Sequence, residues 1–289
     1  MFVLTGGVAD GDGYRIAIAL SLDDVDAIKL YDGLAESRAS TFLSLGAGAI
    51  RDVNQFPSML ISVNSSLQVT TLIIDITPPV LTDFALDMNT GVLNLTFDEV
   101  VLVSSFDFTQ FELVDAPNAS IRLPLSNVTV PGVRSRAFSI ALPMSLVNNI
   151  QRNIPGIAFN RNNTYIVVSG PGVTDLNGYA ILAFPDSSAL QASELIPDTN
   201  PPELVDFQLN LITSTITLVF DEIINPSSAN LSFVSLQNAA ENATEKYTLT
   251  DASSLLSRNP ERTIEILVRL LHKHLTISYA NLILDFLLF

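Results

Sequence analysis

The stretch Asp75-Ile76-Thr77-Pro78-Pro79 recurs as Asp198-Thr199-Asn200-Pro201-Pro202, 123 positions further along the chain. A pair of prolines fixes φ at both positions and removes two backbone hydrogen-bond donors. It therefore belongs at the entrance of a strand or between modules, and not inside a sheet. We interpret each occurrence as a join at which one structural module ends and the next begins.

The similarity continues well beyond the proline pairs. The segment 93–99 returns as 216–222, and the segment 41–43 returns as 164–166, at the same spacing of 123 residues. A period of this length is too long for a solenoid repeat and has the size of a whole domain. The sequence therefore predicts tandem domain-sized modules.

The phase of the repeat predicts where the modules begin and end. Residues 1–76 are the C-terminal portion of one module, residues 77–199 are a complete module, and residues 200–289 are the N-terminal portion of a third module with a divergent tail. Because the chain starts and stops within modules, we expect it to belong to a longer protein.

Each module is predicted to consist of short antiparallel strands. Leu93, Leu95 and Phe97 alternate with polar residues, which is the period of a half-buried strand. Asn94 should then lie on the outer face of that strand. Turn sequences such as 89–91 separate these segments at about ten-residue spacing, a pattern typical of a β-sandwich.

One short crossover helix is predicted in each module. Apolar residues three positions apart form a single stripe on a helix of two or three turns. These residues are Leu22, Val25 and Ile28 in the first copy and Met144, Val147 and Ile150 in the second. We expect the helix to serve packing.

Composition excludes several classes of function. The chain carries 14 Lys and Arg against 30 Asp and Glu, a net charge of −16, which repels phosphate backbones and anionic lipid headgroups. We therefore expect no nucleic-acid partner, and the sequence shows no segment for direct membrane insertion. There is no cysteine, so disulfides and thiolate chemistry are excluded. Seven Asn-x-Ser/Thr sequons favour a secreted glycoprotein: Asn64, Asn94, Asn118, Asn127, Asn162, Asn230 and Asn242.

The residues do not predict an enzyme. The two histidines, His272 and His274, lie in the divergent tail, so a serine nucleophile in the complete module has no imidazole base. Asp98 and Glu99 are neighbours on a predicted strand and should point to opposite faces, which argues against a paired-carboxylate site.

The order of these motifs resembles the bacterial-type Ig-like repeats of S-layer proteins. The strand 93–99, with Phe97-Asp98-Glu99 at its end, is similar to the opening of such a repeat, and the segment 163–178 is similar to its closing segment. The stretch 118–160 is longer than in the compact bacterial form. The resemblance implies an all-β fold of tandem Ig-like antiparallel β-sandwich modules at the cell surface or outside the cell, without catalysis.

Acidic and amide residues at the joins suggest a calcium site as an alternative. Carboxylate, amide and carbonyl oxygens are the ligands that Ca²⁺ prefers, and an ion at a join would stiffen a tandem array. The candidate ligands are Asp52, Asn54, Asp75, Asp175, Asn177 and Asp198. The competing interpretation, which we favour, is that these residues cap turns by binding their own backbone.

The sequence thus predicts a structural or adhesive stalk, whose partners are neighbouring Ig-like repeats together with surface proteins or glycans. Two alternatives stay open. One is a calcium-dependent binding module with ions at the joins, and the other is an accessory module of a surface enzyme.

Overall fold

The computed structural model describes residues 2–11, 15–153 and 156–269, and the chain divides into two compact units, Met1–Thr199 and Asn200–Phe289. The first unit contains the helices α1 (Leu22–Leu30) and α2 (Met144–Arg152). Its strands are β1 (Val8–Asp10), β2 (Ala17–Ala19), β3 (Phe42–Leu43), β4 (Leu67–Gln68), β5 (Leu81–Asp87), β6 (Val92–Leu102), β7 (Phe111–Val114), β8 (Arg122–Pro124), β9 (Arg134–Ala141), β10 (Tyr165–Val168), β11 (Leu190–Gln191) and β12 (Glu194–Ile196).

Two four-stranded sheets share one hydrophobic core in residues 77–199. The first has the strand order β12-β5-β6-β9 and the second has the order β11-β10-β7-β8. Phe84 and Leu95 from the first sheet belong to the same buried cluster as Phe111 and Ile166 from the second. The described portion of the chain is mostly β-structure, as the sequence predicts.

One strand pairing differs from the predicted antiparallel pattern, because β12 runs parallel to β5. The chain changes sheets between two adjacent residues: the Ala192 amide donates to Thr164 O in one sheet, and the Ser193 amide donates to Phe84 O in the other. Strand β12 therefore continues in the direction of β11 without a reversing turn. A connection this short leaves room for no hairpin, which is why the last pairing is parallel.

The alternation predicted for 93–97 is confirmed in β6. Leu93, Leu95 and Phe97 are fully buried, whereas Asn94 lies on the outer face, half-buried, and its Oδ1 accepts a hydrogen bond of 2.6 Å from Ser139 Oγ. A shift of one residue would have placed Asn94 in the core. The register was therefore predicted correctly.

Both predicted helices are present, but their buried stripes differ from the prediction. In α1, Leu22 is exposed, and Val25 and Ile28 are half-buried. In α2, Leu146, Val147 and Ile150 are buried, while Met144 is exposed. Met144 is the first residue of the helix, and its side chain is exposed although Leu142 just before the helix is buried. Leu146 replaces it because it lies four residues before Ile150 on the same face. In the described portion of the chain no helix combines the length and apolarity needed to cross a bilayer.

Residues 2–11 and 15–76 have short strands and exposed apolar side chains. They form the two-stranded pairs β1–β2 and β3–β4. Ile18 is 51% exposed, whereas Ile140, which matches it in the sequence repeat, is 0% exposed. The two residues occupy similar strand positions, and the difference is that Ile140 lies beneath a second sheet.

The second unit repeats the long hairpin of the first. Its strands are β13 (Leu204–Asn210), β14 (Thr215–Ile224), β15 (Ser235–Gln237), β16 (Lys246–Thr248), β17 (Ser254–Leu255) and β18 (Glu261–Leu267). Four of them form a sheet of order β13-β14-β18-β17, and β15 pairs with β16. The buried residues are few, namely Ile216, Leu249, Ile264 and Ile266, and all of β13 is exposed.

The same hydrogen bonds occur at the repeat spacing. The Val80 amide donates to Asp98 Oδ1 at 2.7 Å, and 123 residues later the Glu203 amide donates to Asp221 Oδ1 at 2.7 Å. The pairing of β5 with β6 shifts register between Leu81 and Asp83, and that of β13 with β14 shifts at the corresponding place. Equivalent residues therefore make equivalent local contacts.

Candidate functional site

The last turn of α1 places an ammonium group among carboxylates. Lys29 Nζ donates to Asp75 Oδ2 at 2.9 Å and to Glu99 Oε2 at 2.6 Å. Glu99 comes from β6 and Asp75 from the segment that precedes the first proline pair. The Lys29 side chain is four-fifths buried, so its charge is only partly screened by water.

Burial and the ion pairs together shift the pKa values of all three groups. Burial opposes the charged form of Lys29, but the bonds from Glu99 and Asp75 outweigh it and raise the Lys29 pKa. Burial also opposes ionisation of Asp75, yet hydrogen bonds from Thr77 and Lys29 hold the Asp75 pKa well below its usual range. Burial raises the pKa of Glu99 and is only partly offset by Lys29. The site thus favours a charged Lys29 and Asp75 and penalises a charged Glu99.

Asp175 is a further buried carboxylate of this region. Its Oδ1 accepts hydrogen bonds from the amides of Asn177 at 2.9 Å and Tyr179 at 2.7 Å, which caps the turn as the sequence suggests. The residue is 1% exposed, and its Oδ2 has no hydrogen-bond partner. A buried polar atom without a partner is rare in native proteins and calls for an explanation.

Asp52 forms the same turn in the preceding repeat. Its Oδ1 accepts from the amides of Asn54 at 2.9 Å and Phe56 at 2.8 Å, but both Asp52 and Asn54 are exposed. The capping interaction is therefore equivalent to that of Asp175, while the surroundings differ. Water can therefore solvate the second carboxylate oxygen of Asp52, whereas the second carboxylate oxygen of Asp175 is buried.

The remaining predicted ligands take two different positions. Asn177 Nδ2 donates to the backbone oxygen of Asp75 at 3.1 Å, so Asp75, Asp175 and Asn177 lie together. Asp198 Oδ2 instead accepts from Gln151 Nε2 at 2.8 Å, at the end of α2. Gln151 follows Ile150 as Lys29 follows Ile28, so the second join has an amide in place of the ammonium.

Calcium was predicted at each of the two joins, and the structure brings Asp75 together with Asp175 and Asn177, whereas Asp198 contacts Gln151. Within residues 2–11, 15–153 and 156–269, no three His, Cys, Asp or Glu side chains are grouped so as to hold a metal ion. His272 and His274 lie outside the described residues. Calcium binding at the joins stays a prediction.

A cavity of about 390 Å³ adjoins the ion pairs. Its walls include Leu20, Val25 and Ile28 from the α1 region and Leu72 and Ile74 from the segment before the join. Lys29, Asp75, Glu99 and Asp175 line the same cavity. The space is therefore apolar along its sides and carries most of its charge on this group of four side chains.

Two arginines of β9 hold α1 beside this cavity. Arg134 donates to Lys29 O at 2.9 Å and pairs with Asp32 at 2.9 Å, and Arg136 pairs with Asp26 at 3.3 Å. Arg136 Nε also donates to Phe97 O at 2.9 Å. These contacts fix the helix that carries Lys29 against the sheet that carries Glu99.

Lys29 and Glu99 are site residues that the sequence patterns did not single out. One signal was available, because Lys29 is the only lysine before Lys246 in a strongly acidic chain. A lone cation on an apolar helix stripe requires anionic partners. The strand pattern showed that Glu99 points away from Asp98, but not what lies opposite to it.

The polar side chains that line the cavity are four carboxylates, one ammonium, one amide and one phenol. No serine, threonine or histidine lines the cavity among the described residues. Comparisons with protein-family models, with curated proteins and with solved structures found no match.

Proposed function

We propose that this chain is a non-catalytic region of tandem Ig-like β-sandwich modules that acts as a spacer or adhesive stalk in a large cell-surface or secreted protein. The observation that carries the proposal is the recurrence of side-chain hydrogen bonds at the 123-residue spacing. Such recurrence is what a repeated domain produces, because each copy must satisfy the same polar groups in the same way.

Three further pairs of contacts support the modules. Gln68 Nε2 donates to Arg38 O at 2.9 Å, and Gln191 Nε2 donates to Arg161 O at 2.9 Å. The hydroxyl groups of Thr41 and Thr164 each donate to a backbone oxygen four residues earlier. The Asp52 and Asp175 turns form the third pair. The threonine and aspartate contacts lie outside the named strands, so strand geometry alone does not account for their recurrence.

The join within the first unit supports the spacer role. Lys29, Arg134 and Arg136 connect the incomplete module, residues 1–76, to the complete module, residues 77–199, through side chains on both. A spacer needs neighbouring modules that hold a fixed orientation, and several ion pairs resist bending better than a flexible linker does.

The proposal is tested by displaying the chain on a cell surface between an anchor and a fluorescent tip. We expect the tip to stand further from the membrane than one carried on a flexible Gly/Ser linker of equal length, because folded modules do not coil. The height is measured by quenching from a membrane dye. The variant Lys29→Met removes ion pairs at the join and should lower the tip. The matched control Lys246→Met should leave the height of the tip unchanged. Equal heights for chain and linker would refute a spacer role.

A further inference from the structure

We propose that the cavity beside α1 is a binding site for an organic cation, namely an ammonium group that carries an apolar body. The cavity of about 390 Å³ lies within the size range of small-molecule sites. It combines apolar walls with a small number of charged groups, which is the usual composition of such a site. All of its lining residues lie in the first compact unit, so the inference does not depend on the spacer role.

The charge of the cavity favours a cation. Four carboxylates line it, from Glu36, Asp75, Glu99 and Asp175, against the single ammonium of Lys29. Lys29 is bound to Asp75 and Glu99, and Glu36 accepts from the Gly33 amide at 3.0 Å. The nearby guanidinium of Arg134 binds Lys29 O and Asp32, away from these four groups.

Asp175 supplies the unfilled hydrogen-bonding position. Its Oδ2 is buried, lacks a partner and belongs to a residue that lines the cavity. An ionised carboxylate out of water is costly unless it is paired. A ligand ammonium placed against Oδ2 would provide that pair, and Oδ1 would keep its bonds to the turn amides.

The walls select an organic cation over a metal ion. Ca²⁺ requires six to eight oxygen ligands, whereas Leu20, Val25 and Ile28 offer only hydrocarbon to an occupant. Hydrocarbon walls instead stabilise the body of an amine by removing its apolar surface from water. Tyr31 also lines the cavity and can contact the cation through its ring face.

The test uses the full chain and three probes that differ mainly in charge. These are phenethylammonium, the neutral 2-phenylethanol and the anionic 3-phenylpropanoate, titrated by calorimetry and by amide chemical shifts. We expect phenethylammonium to bind at least about tenfold more tightly than the alcohol, because only the ammonium carries a positive charge that is attracted to the carboxylates of the cavity. The propanoate should not bind.

Two variants and a matched control locate the site. Asp175→Asn keeps the Oδ1 acceptor of the turn but removes the charge, so it should weaken phenethylammonium binding about tenfold. Asp52→Asn makes the same change in the equivalent exposed turn and should leave binding unchanged. Ile74→Trp fills the cavity from its half-exposed wall and should abolish binding without a charge change. Thermal melts verify that each variant is folded.

Several results would overturn the inference. Equal affinity for phenethylammonium and 2-phenylethanol would show that the charge plays no role. Loss of binding in Asp52→Asn as well as Asp175→Asn would place the effect outside the cavity. Calcium chloride that binds to the chain and displaces phenethylammonium would identify a metal site instead.

Discussion

At the scale of single residues, the repeat supplies its own comparison. Asp52 and Asp175 cap identical turns, but only Asp175 is enclosed by another segment of the chain. Lys29 and Gln151 likewise occupy matching helix positions and bind Asp75 and Asp198 respectively. The same local sequence therefore supports a plain turn in one copy and a charged cavity wall in the other. The segments that pack around each turn decide which of the two it forms.

Replacing Lys29 should destabilise the first unit. Lys29→Met keeps the length and apolar stem of the side chain but leaves Glu99, which is 11% exposed, without its cation. We expect a loss of about 2 kcal/mol in unfolding free energy, below the value for a fully buried pair because Lys29 retains some solvent contact. Urea melts measure it, with Lys246→Met as the control. A loss equal to that of the control would show that the ion pairs contribute nothing.

The raised pKa of Glu99 predicts a pH dependence. Glu99 binds its proton more tightly in the folded chain than in the unfolded chain. The stability that this group contributes is therefore complete at a pH below the pKa of Glu99 in the unfolded chain, and it falls as the pH rises through the pKa of Glu99 in the folded chain. The unfolding free energy of Glu99→Gln, relative to that of the native chain, should therefore be higher at pH 7 than at pH 4. Urea melts at both pH values test this. A difference that is constant with pH would contradict the raised pKa.

At the scale of elements, what the sequence predicted depends on how local the signal is. The strand β6, its register and both helices follow from periodicity within a dozen residues, and all are present. The parallel pairing of β12 arises because the chain passes from one sheet to the other between Ala192 and Ser193. This passage has no recognisable pattern in the local sequence. The cavity joins α1, β6 and the 175–179 turn, which are far apart in sequence. Of its four acidic members, Asp75 and Asp175 were predicted as ligands, whereas the other two, its cation and its apolar walls were not.

The strand β6 carries a prediction about core packing. Phe97 is fully buried with its ring edge-on to Phe106 and Phe138 at 6.0 and 6.1 Å, whereas its equivalent Phe220 is half-buried. Phe97→Ala should lower the stability of the first unit by about 3–5 kcal/mol. Phe220→Ala should cost the second unit less than half of that. Hydrogen exchange resolves the two units separately, and equal losses would contradict the difference in packing.

At the scale of the whole molecule, the calcium alternative has a direct test. Lys29 already provides a cation to Asp75 and Glu99, so we expect the thermal midpoint of the full chain to be the same in millimolar calcium and in chelator. A ligand that binds only the folded state must raise the midpoint. A clear rise, lost in Asp175→Asn together with Asp198→Ala, would establish calcium at the joins.

The parallel pairing of β12 with β5 has a mechanical consequence. Strand β5 is the first of residues 77–199 and β12 is the last, so tension along the backbone pulls these adjacent strands in opposite directions. Their hydrogen bonds are then loaded in shear and must break together, whereas the bonds of a terminal antiparallel hairpin would open one after another like a zip. Because β12 runs parallel to β5, this short strand should resist mechanical unfolding of residues 77–199.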